Sequence, residues 1–187
     1  PNTESIWRGL ARAHSESAQY TEAREAAERA VELAPEVADG WTMLGTVLAG
    51  ALEPEKARDA FTKALQLKPL QPRVLLSMGH VEKTIGDSRA SEIAYDEAFR
   101  IDPSLGEAMW SKADLKTYRF RPEEIEAMNR QLGKDISNKS DVAAFHFALG
   151  KAFEDDQAYE LSFSHYQSGN RIKAEIANTL WTREDFY

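Results

Sequence analysis

The chain has 187 residues, 42% of them hydrophobic, with no apolar run near the ~18 residues that a membrane span requires. Asp and Glu (31) outnumber Lys and Arg (23), giving a net charge of −8 that argues against general nucleic-acid binding. The absence of cysteine excludes a disulfide framework, a thiolate nucleophile and thiolate-ligated zinc, while few Gly (10) and Pro (7) among many Ala, Glu and Leu point to helix.

In chain order, residues 4–37 read as a first pair of helices with Trp7, Leu10, Ala23, Ala27 and Ala30 on the buried stripe. Residues 38–71 form a second pair. Its first helix, 39–50, carries Trp41, Leu44 and Leu48 on one face, and its second starts at Glu53-Pro54, where proline suits a first helical turn. Ala57, Phe61, Ala64 and Leu65 are its inward stripe, and Lys68-Pro69 stops it because the residue before proline is pushed out of helical geometry. Residues 72–105 repeat the pattern with Leu75, Met78, Gly79, Tyr95 and Ala98. From there it blurs. A degenerate unit, 106–140, is expected to have helices over 107–118 and 122–132 around a basic turn, Arg119-Phe120-Arg121, followed by a polar loop. An atypical unit, 141–187, brings back Phe145, Leu149, Gly150, Phe153, Tyr159, Phe163 and Tyr166. Its last helix is expected to reach about Asn178 and to cap the array, as terminal repeats do.

The period is explicit. Pro35, Pro69 and Pro103 stand 34 residues apart, as do Ala30, Ala64 and Ala98, and Trp7 and Trp41, Gly45 and Gly79, and Phe61 and Tyr95 share the spacing. A 34-residue unit ordered W-x2-L-G, A, F/Y, A, P resembles the tetratricopeptide repeat. The resemblance implies an all-α fold: one solenoid domain over 1–187, an α-α superhelix of about five helix-turn-helix units.

No phosphate-binding loop, dinucleotide fingerprint, nucleophile elbow, H-E-x-x-H helix or calcium loop occurs. His14, His80, His146 and His165 make no i,i+4 pair and read as satisfied or solvated side chains, and Glu154-Asp155-Asp156 reads as an acidic start favoured by the dipole of the next helix. No catalytic residue, cofactor or metal is expected from this chain. A helical solenoid offers instead a concave groove lined by the first helix of each unit. The groove residues expected are Arg8, Arg12, Arg73, His80, Lys83, Trp110 and Asp114, with Thr42, Thr46, Leu76, Glu107, Phe147, Lys151 and Glu154 beside them. Their basic character would favour an acidic or C-terminal peptide segment, with Trp110 as the apolar anchor. The competing reading is that these charges solubilise the groove or pair with Glu16 and Glu82.

Tetratricopeptide domains that hold a chaperone C-terminus use a Lys-Asn-Asn-Lys-Arg clamp. The corresponding positions here are Arg8, Arg12, Met43, Arg73 and Ser77, so both asparagines and the last arginine are missing. A second likeness lies in the irregular half, in the order ADLKTYRF (113–120), FALGKAFED (147–155) and HYQSGN (165–170). It resembles the end of the repeat region of bacterial tetratricopeptide-repeat sulfotransferases, where such repeats precede a catalytic domain that binds 3′-phosphoadenosine-5′-phosphosulfate. No R-S-G-T-T-like phosphosulfate loop occurs before Tyr187, so no sulfotransferase site residue is carried over.

Two expectations follow. The chain is a non-catalytic interaction module for a protein or peptide partner, without nucleic acid or membrane, and cytoplasmic. Alternatively it is the repeat region of a bacterial sulfotransferase, with a downstream transferase domain as partner. An apolar surface at Ile176, Leu180, Trp181 and Phe186 would favour the second, and a capping helix that folds back would account for the same residues.

Overall fold

The computed structural model describes residues 3–115 and 117–184, with side chains up to Thr179. All regular structure among these residues is helical. The elements are α1 (Thr3–Glu16), α2 (Tyr20–Leu33), α3 (Ala38–Gly50), α4 (Pro54–Leu67), α5 (Pro72–Ile85), α6 (Ser88–Ile101), α7 (Gly106–Ala113), α8 (Pro122–Leu132), α9 (Lys139–Asp155) and α10 (Tyr159–Glu184). The chain divides into two compact units, one up to Glu97 and one from Ala98, with the division falling inside α6. None of the helices is long and apolar enough to cross a membrane, among the described residues.

In the first unit α1 pairs with α2 and α3 with α4, while α3 also lies against α1 and α5. The reason for the period is visible in one recurring joint. An ideal Cβ on Gly45 would stand 2.7 Å from the Phe61 ring, and one on Gly79 would stand 2.3 Å from the Tyr95 ring. A helix can therefore sit directly under the aromatic ring of its partner only where the side chain is a hydrogen atom. Alanines fill the rest of the seam: Ala23, Ala27, Ala57 and Ala64 have no exposed surface. Ser91 adds a buried polar tie, its hydroxyl donating to the Gly79 carbonyl at 2.8 Å. Trp41 donates its indole N–H to the Pro35 carbonyl at 2.8 Å, which links the periodic tryptophan to the periodic proline. The turns inside the hairpins follow the same period, since Ala18, Leu52 and Gly86 all hold positive φ (56, 60 and 98°).

The second unit keeps the joint once. Gly150 on α9 lies under Tyr166 of α10, where a Cβ would come within 2.9 Å of the ring. Met109, Ala113, Met128, Phe145, Ala148 and Leu149 form its core. At the entry to α7, a Cβ on Gly106 would meet the Asp141 carbonyl oxygen at 2.1 Å, so this backbone crossing requires glycine.

Several expectations need correction. The helix predicted over 107–118 stops at Ala113, and Asp114 is its exposed cap in a turn rather than a residue on a groove-facing helix. The helix stops because Lys112 is drawn fully inside and the chain beyond must turn to bring Tyr118 to Lys112's partner, Glu124. Leu76, expected in the groove, is buried, because α5 packs against α3 and α4 and under Tyr95. Leu10, expected in the core, is 41% exposed. The last helix runs to Glu184, past the expected Asn178, and Ile176 on it is half-buried. The expectations for the side chains of Leu180, Trp181 and Phe186 lie outside the described residues.

Candidate functional site

Each unit has a cavity on the face built by its first helices. In the first unit, α3 contributes Thr46 and Ala49, the following turn and α4 contribute Leu52, Pro54 and Phe61, and α5 contributes Ser77, His80, Val81 and Thr84. The cavity is largely apolar and measures about 390 Å³. His80 forms part of the wall, its ring edge-on to Tyr95 at 5.5 Å between centroids. Of the other expected groove residues in this unit, Arg12, Arg73 and Lys83 are exposed and are not among its lining residues. Arg8 is half-buried and committed: its guanidinium bonds the nearly buried Glu4 carboxylate at 2.9 Å and reaches Asp39 on α3 at 3.6 Å. The Arg8 charge thus ties α1 to α3. Its acidic partners are these two residues.

The second unit has a roomier cavity of about 620 Å³. Trp110 of α7 and Phe147 of α9 form an aromatic wall, with ring centroids 5.5 Å apart and planes tilted by 48°. Phe147 is held in place by Gly169, against which its ring packs where a Cβ would approach to 2.8 Å. Opposite the wall stand polar groups: Glu107 from α7, Asn138, Ser140 and Asp141 from the start of α9, and Tyr166, Asn170 and Lys173 from α10. Asp141 fixes the geometry. Its carboxylate accepts from the Glu107 backbone N–H at 3.2 Å and from the Asn138 amide at 2.6 Å, while Asn138 caps α9 by accepting from the Ser140 N–H at 3.0 Å. One carboxylate therefore satisfies free donors at the start of α7 and holds the start of α9 beside it. Of the expected residues, Glu107, Trp110 and Phe147 line this cavity; Asp114, Lys151 and Glu154 do not. The cavity thus has an apolar aromatic wall and amide, hydroxyl, carboxylate and ammonium groups around it.

Behind the cavity wall lies a polar network that sequence reasoning missed. The Lys112 ammonium, with no exposed surface, donates to Glu124 Oε1 at 2.6 Å and lies 4.0 Å over the Tyr118 ring. The Tyr118 hydroxyl donates to Glu124 Oε2 at 2.6 Å, and the Arg121 backbone N–H donates to the same oxygen at 2.8 Å. Burial alone would raise the Glu124 pKa. The hydrogen bonds from Lys112, Tyr118 and Arg121 outweigh it and pull the value down to about 2. Burial and the bond to Glu124 raise the Tyr118 pKa. The basic turn 119–121 is thus partly a clasp around one carboxylate.

The acidic run 154–156 is distributed among structural partners: Glu154 accepts from the Tyr166 hydroxyl at 2.9 Å, and Asp155 is paired with Lys151. The structure does bring two of the histidines together. His146 and His165 approach each other across the α9–α10 hairpin, a pairing that no sequence spacing announced.

The geometry defines an all-α repeat protein whose first helices help to line a cavity in each unit. Residues 8–72 and 72–105 each match a tetratricopeptide repeat model. Together these matches span just over half of the chain, which belongs to the tetratricopeptide repeat family. Similar solved structures agree in fold. A crystal structure of MamA superposes with a TM-score of 0.69 at 14% identity, covering 90% of this chain and 97% of that one. The first TPR domain of Spaghetti (RPAP3), bound to the HSP90 peptide SRMEEVD, gives 0.60 at 11% identity over 63% of this chain and 94% of that one. The Arabidopsis OM64 TPR domain gives 0.59 at 14% identity over 61% and 94%. No curated protein sequence matches the chain.

Proposed function

We propose that the chain is a non-catalytic interaction module that captures a peptide segment of a partner protein, with the Trp110–Phe147 cavity as its anchoring site. The observation that carries this reading is that wall: two aromatic rings held by Gly169 and the α9 start, facing Asn138, Ser140, Asn170 and Lys173. The His80 cavity of the first unit is a second contact point for the same class of ligand, and the exposed Arg12 and Arg73 favour an acidic one. One structural neighbour is a TPR domain with a peptide bound, which supports the ligand class. The missing asparagines at the clamp positions speak against a chaperone C-terminus as that ligand.

The test is selection of binders from a random peptide library, followed by affinity measurement by fluorescence polarisation. Trp110→Ala should weaken selected peptides on the order of 30-fold, the equivalent of about 2 kcal/mol for a central aromatic anchor. Arg12→Glu with Arg73→Glu should weaken acidic peptides that dock on the first unit without altering helix content. Unchanged affinity in Trp110→Ala would remove the anchoring site.

A second reading, the repeat region of a bacterial sulfotransferase, is supported by the order of segments 113–120, 147–155 and 165–170. Packing supplies a simpler account of several of those residues, since Tyr118 serves Glu124, Gly150 admits Tyr166 and Gly169 admits Phe147. Reading the gene past codon 187 tests it. A strand followed by an R-S-G-T-T-like loop supports the transferase, and a stop codon removes it.

A further inference from the structure

His146 on α9 and His165 on α10 face each other through the same ring nitrogen, with Nδ1 to Nδ1 at 3.0 Å. The ring centroids are 5.2 Å apart and the planes are tilted by 44°. Phe153, one helical segment further along α9, stacks on His165 at 5.4 Å and 26° and holds that ring's orientation. Both rings are half-buried, so they are reachable from solvent while their direction is set by packing. Without a metal, one Nδ1–H donates to the other Nδ1, which joins the two helices but fixes only one proton between two strong ligand atoms.

We propose that His146 and His165 form a two-imidazole site for a divalent late transition metal, clamping α9 to α10. The separation is the first support. With metal–nitrogen bonds of about 2.0–2.1 Å, nitrogens 3.0 Å apart subtend an angle of about 95° at the metal, close to the right angle of a tetragonal or octahedral centre. Opening the pair by about 0.3 Å gives the tetrahedral angle that zinc prefers. The packing is the second: Phe153 stacks on His165 and both rings are half-buried, so the two Nδ1 atoms are held toward one another, and binding moves the shared proton to an outward Nε2.

The surroundings define which metals fit. Among the described residues no third His, Asp or Glu joins the pair to make a larger ligand group, so the pair would give a metal two protein ligands and leave its other positions to solvent. The Arg171 cation acts electrostatically on His146 and would oppose a dication. Hard, carboxylate-seeking ions such as Ca²⁺ and Mg²⁺ gain nothing here, whereas Cu²⁺, Ni²⁺ and Zn²⁺ gain two imidazole bonds. The clamp spans the hairpin that carries Phe147, Tyr166 and Asn170, which line the larger cavity, so metal would rigidify that part of its wall.

Titration of the full chain with Zn²⁺ at pH 7.5, read by histidine side-chain ¹⁵N resonances, tests the assignment. The expected result is that the Nδ1 signals of His146 and His165 shift together and saturate at one equivalent, while His14 and His80 move only at much higher metal. His165→Gln and His146→Gln should each weaken Zn²⁺ by about tenfold or more, and Mg²⁺ should shift neither ring. Signals of the pair unmoved by about 1 mM Zn²⁺ would overturn the site, as would shifts of equal size and affinity in all four histidines. The wild-type spectrum decides the matter even if a variant loses its fold. Peptide capture by Trp110 can fail without affecting this result, because neither histidine lines that cavity.

Discussion

Up to Glu97, two of the helix pairs are closed by a glycine under an aromatic ring, Gly45–Phe61 and Gly79–Tyr95, while the first has Ala11 and Ala27 at the same register. From Ala98 onward this joint is used at Gly150–Tyr166, and the preceding repeat is closed around an ion pair instead, Lys112 with Glu124. Where the apolar joint would fall in the fourth repeat, Ala113 and Asn129 stand in place of glycine and ring. The difference teaches why one half is regular and the other is not. An apolar joint needs two residue types at one fixed spacing and can be copied along a chain. A buried lysine needs a carboxylate, and that carboxylate needs further donors at particular points in space; here Lys112, Glu124 and the donors Tyr118 and Arg121 come from a shortened helix, a turn and the next helix.

The largest effect should come from removing one side of that ion pair. Lys112→Ala leaves Glu124 charged and short of a partner, at an expected cost of about 3–5 kcal/mol in urea unfolding. Lys112→Met combined with Glu124→Leu should recover much of that loss, since an apolar pair of similar volume avoids the desolvation penalty. A loss below about 1 kcal/mol in the single variant would dissolve the contrast between the two units.

Acid should separate the units by a smaller margin. The folded-state pKa of Glu124 lies at about 2, well below its ordinary 4.5. Its contribution is thus complete above about pH 4.5 and lost progressively as the pH falls toward 2. In the first unit Glu82 works in the opposite sense, because burial raises its pKa and protonation relieves the cost of burying its charge. Hydrogen exchange between pH 5 and pH 2.5 should therefore show α7 and α8 opening before α3 and α5. Glu124→Gln should flatten this acid dependence, and simultaneous opening of both units would argue against it.

The smallest effect is local. Ala18 holds φ of 56° at the turn where the same place one period on from Leu52 is Gly86. Ala18→Gly should relieve left-handed strain and stabilise the chain by up to about 1 kcal/mol in thermal unfolding, the entropic cost of glycine offsetting part of the gain. Destabilisation would mean that the turn is not strained.

Much of the fold was legible before any coordinates. Proline, alanine, glycine and aromatic registers repeating every 34 residues placed the first six helices, because each register marks a stop, a seam or a joint whose geometry depends mainly on residue size. The candidate site was legible in part. Trp110 and His80 could be read as facing outward from first helices, and each lines a cavity. The arginines could not be read the same way, since whether Arg8 is available depends on Glu4 and Asp39, the latter on another helix.

Local sequence thus determined the helices, their order and the repeat family, for these follow from spacing along one strand of chain. Three features were decided by packing between distant segments. The burial of Lys112 ended α7 early, Asp141 joined the starts of α7 and α9, and the α9–α10 hairpin set His146 against His165. A charge, a cap or a ligand pair is defined by what approaches it in space, and only a packed structure specifies that approach.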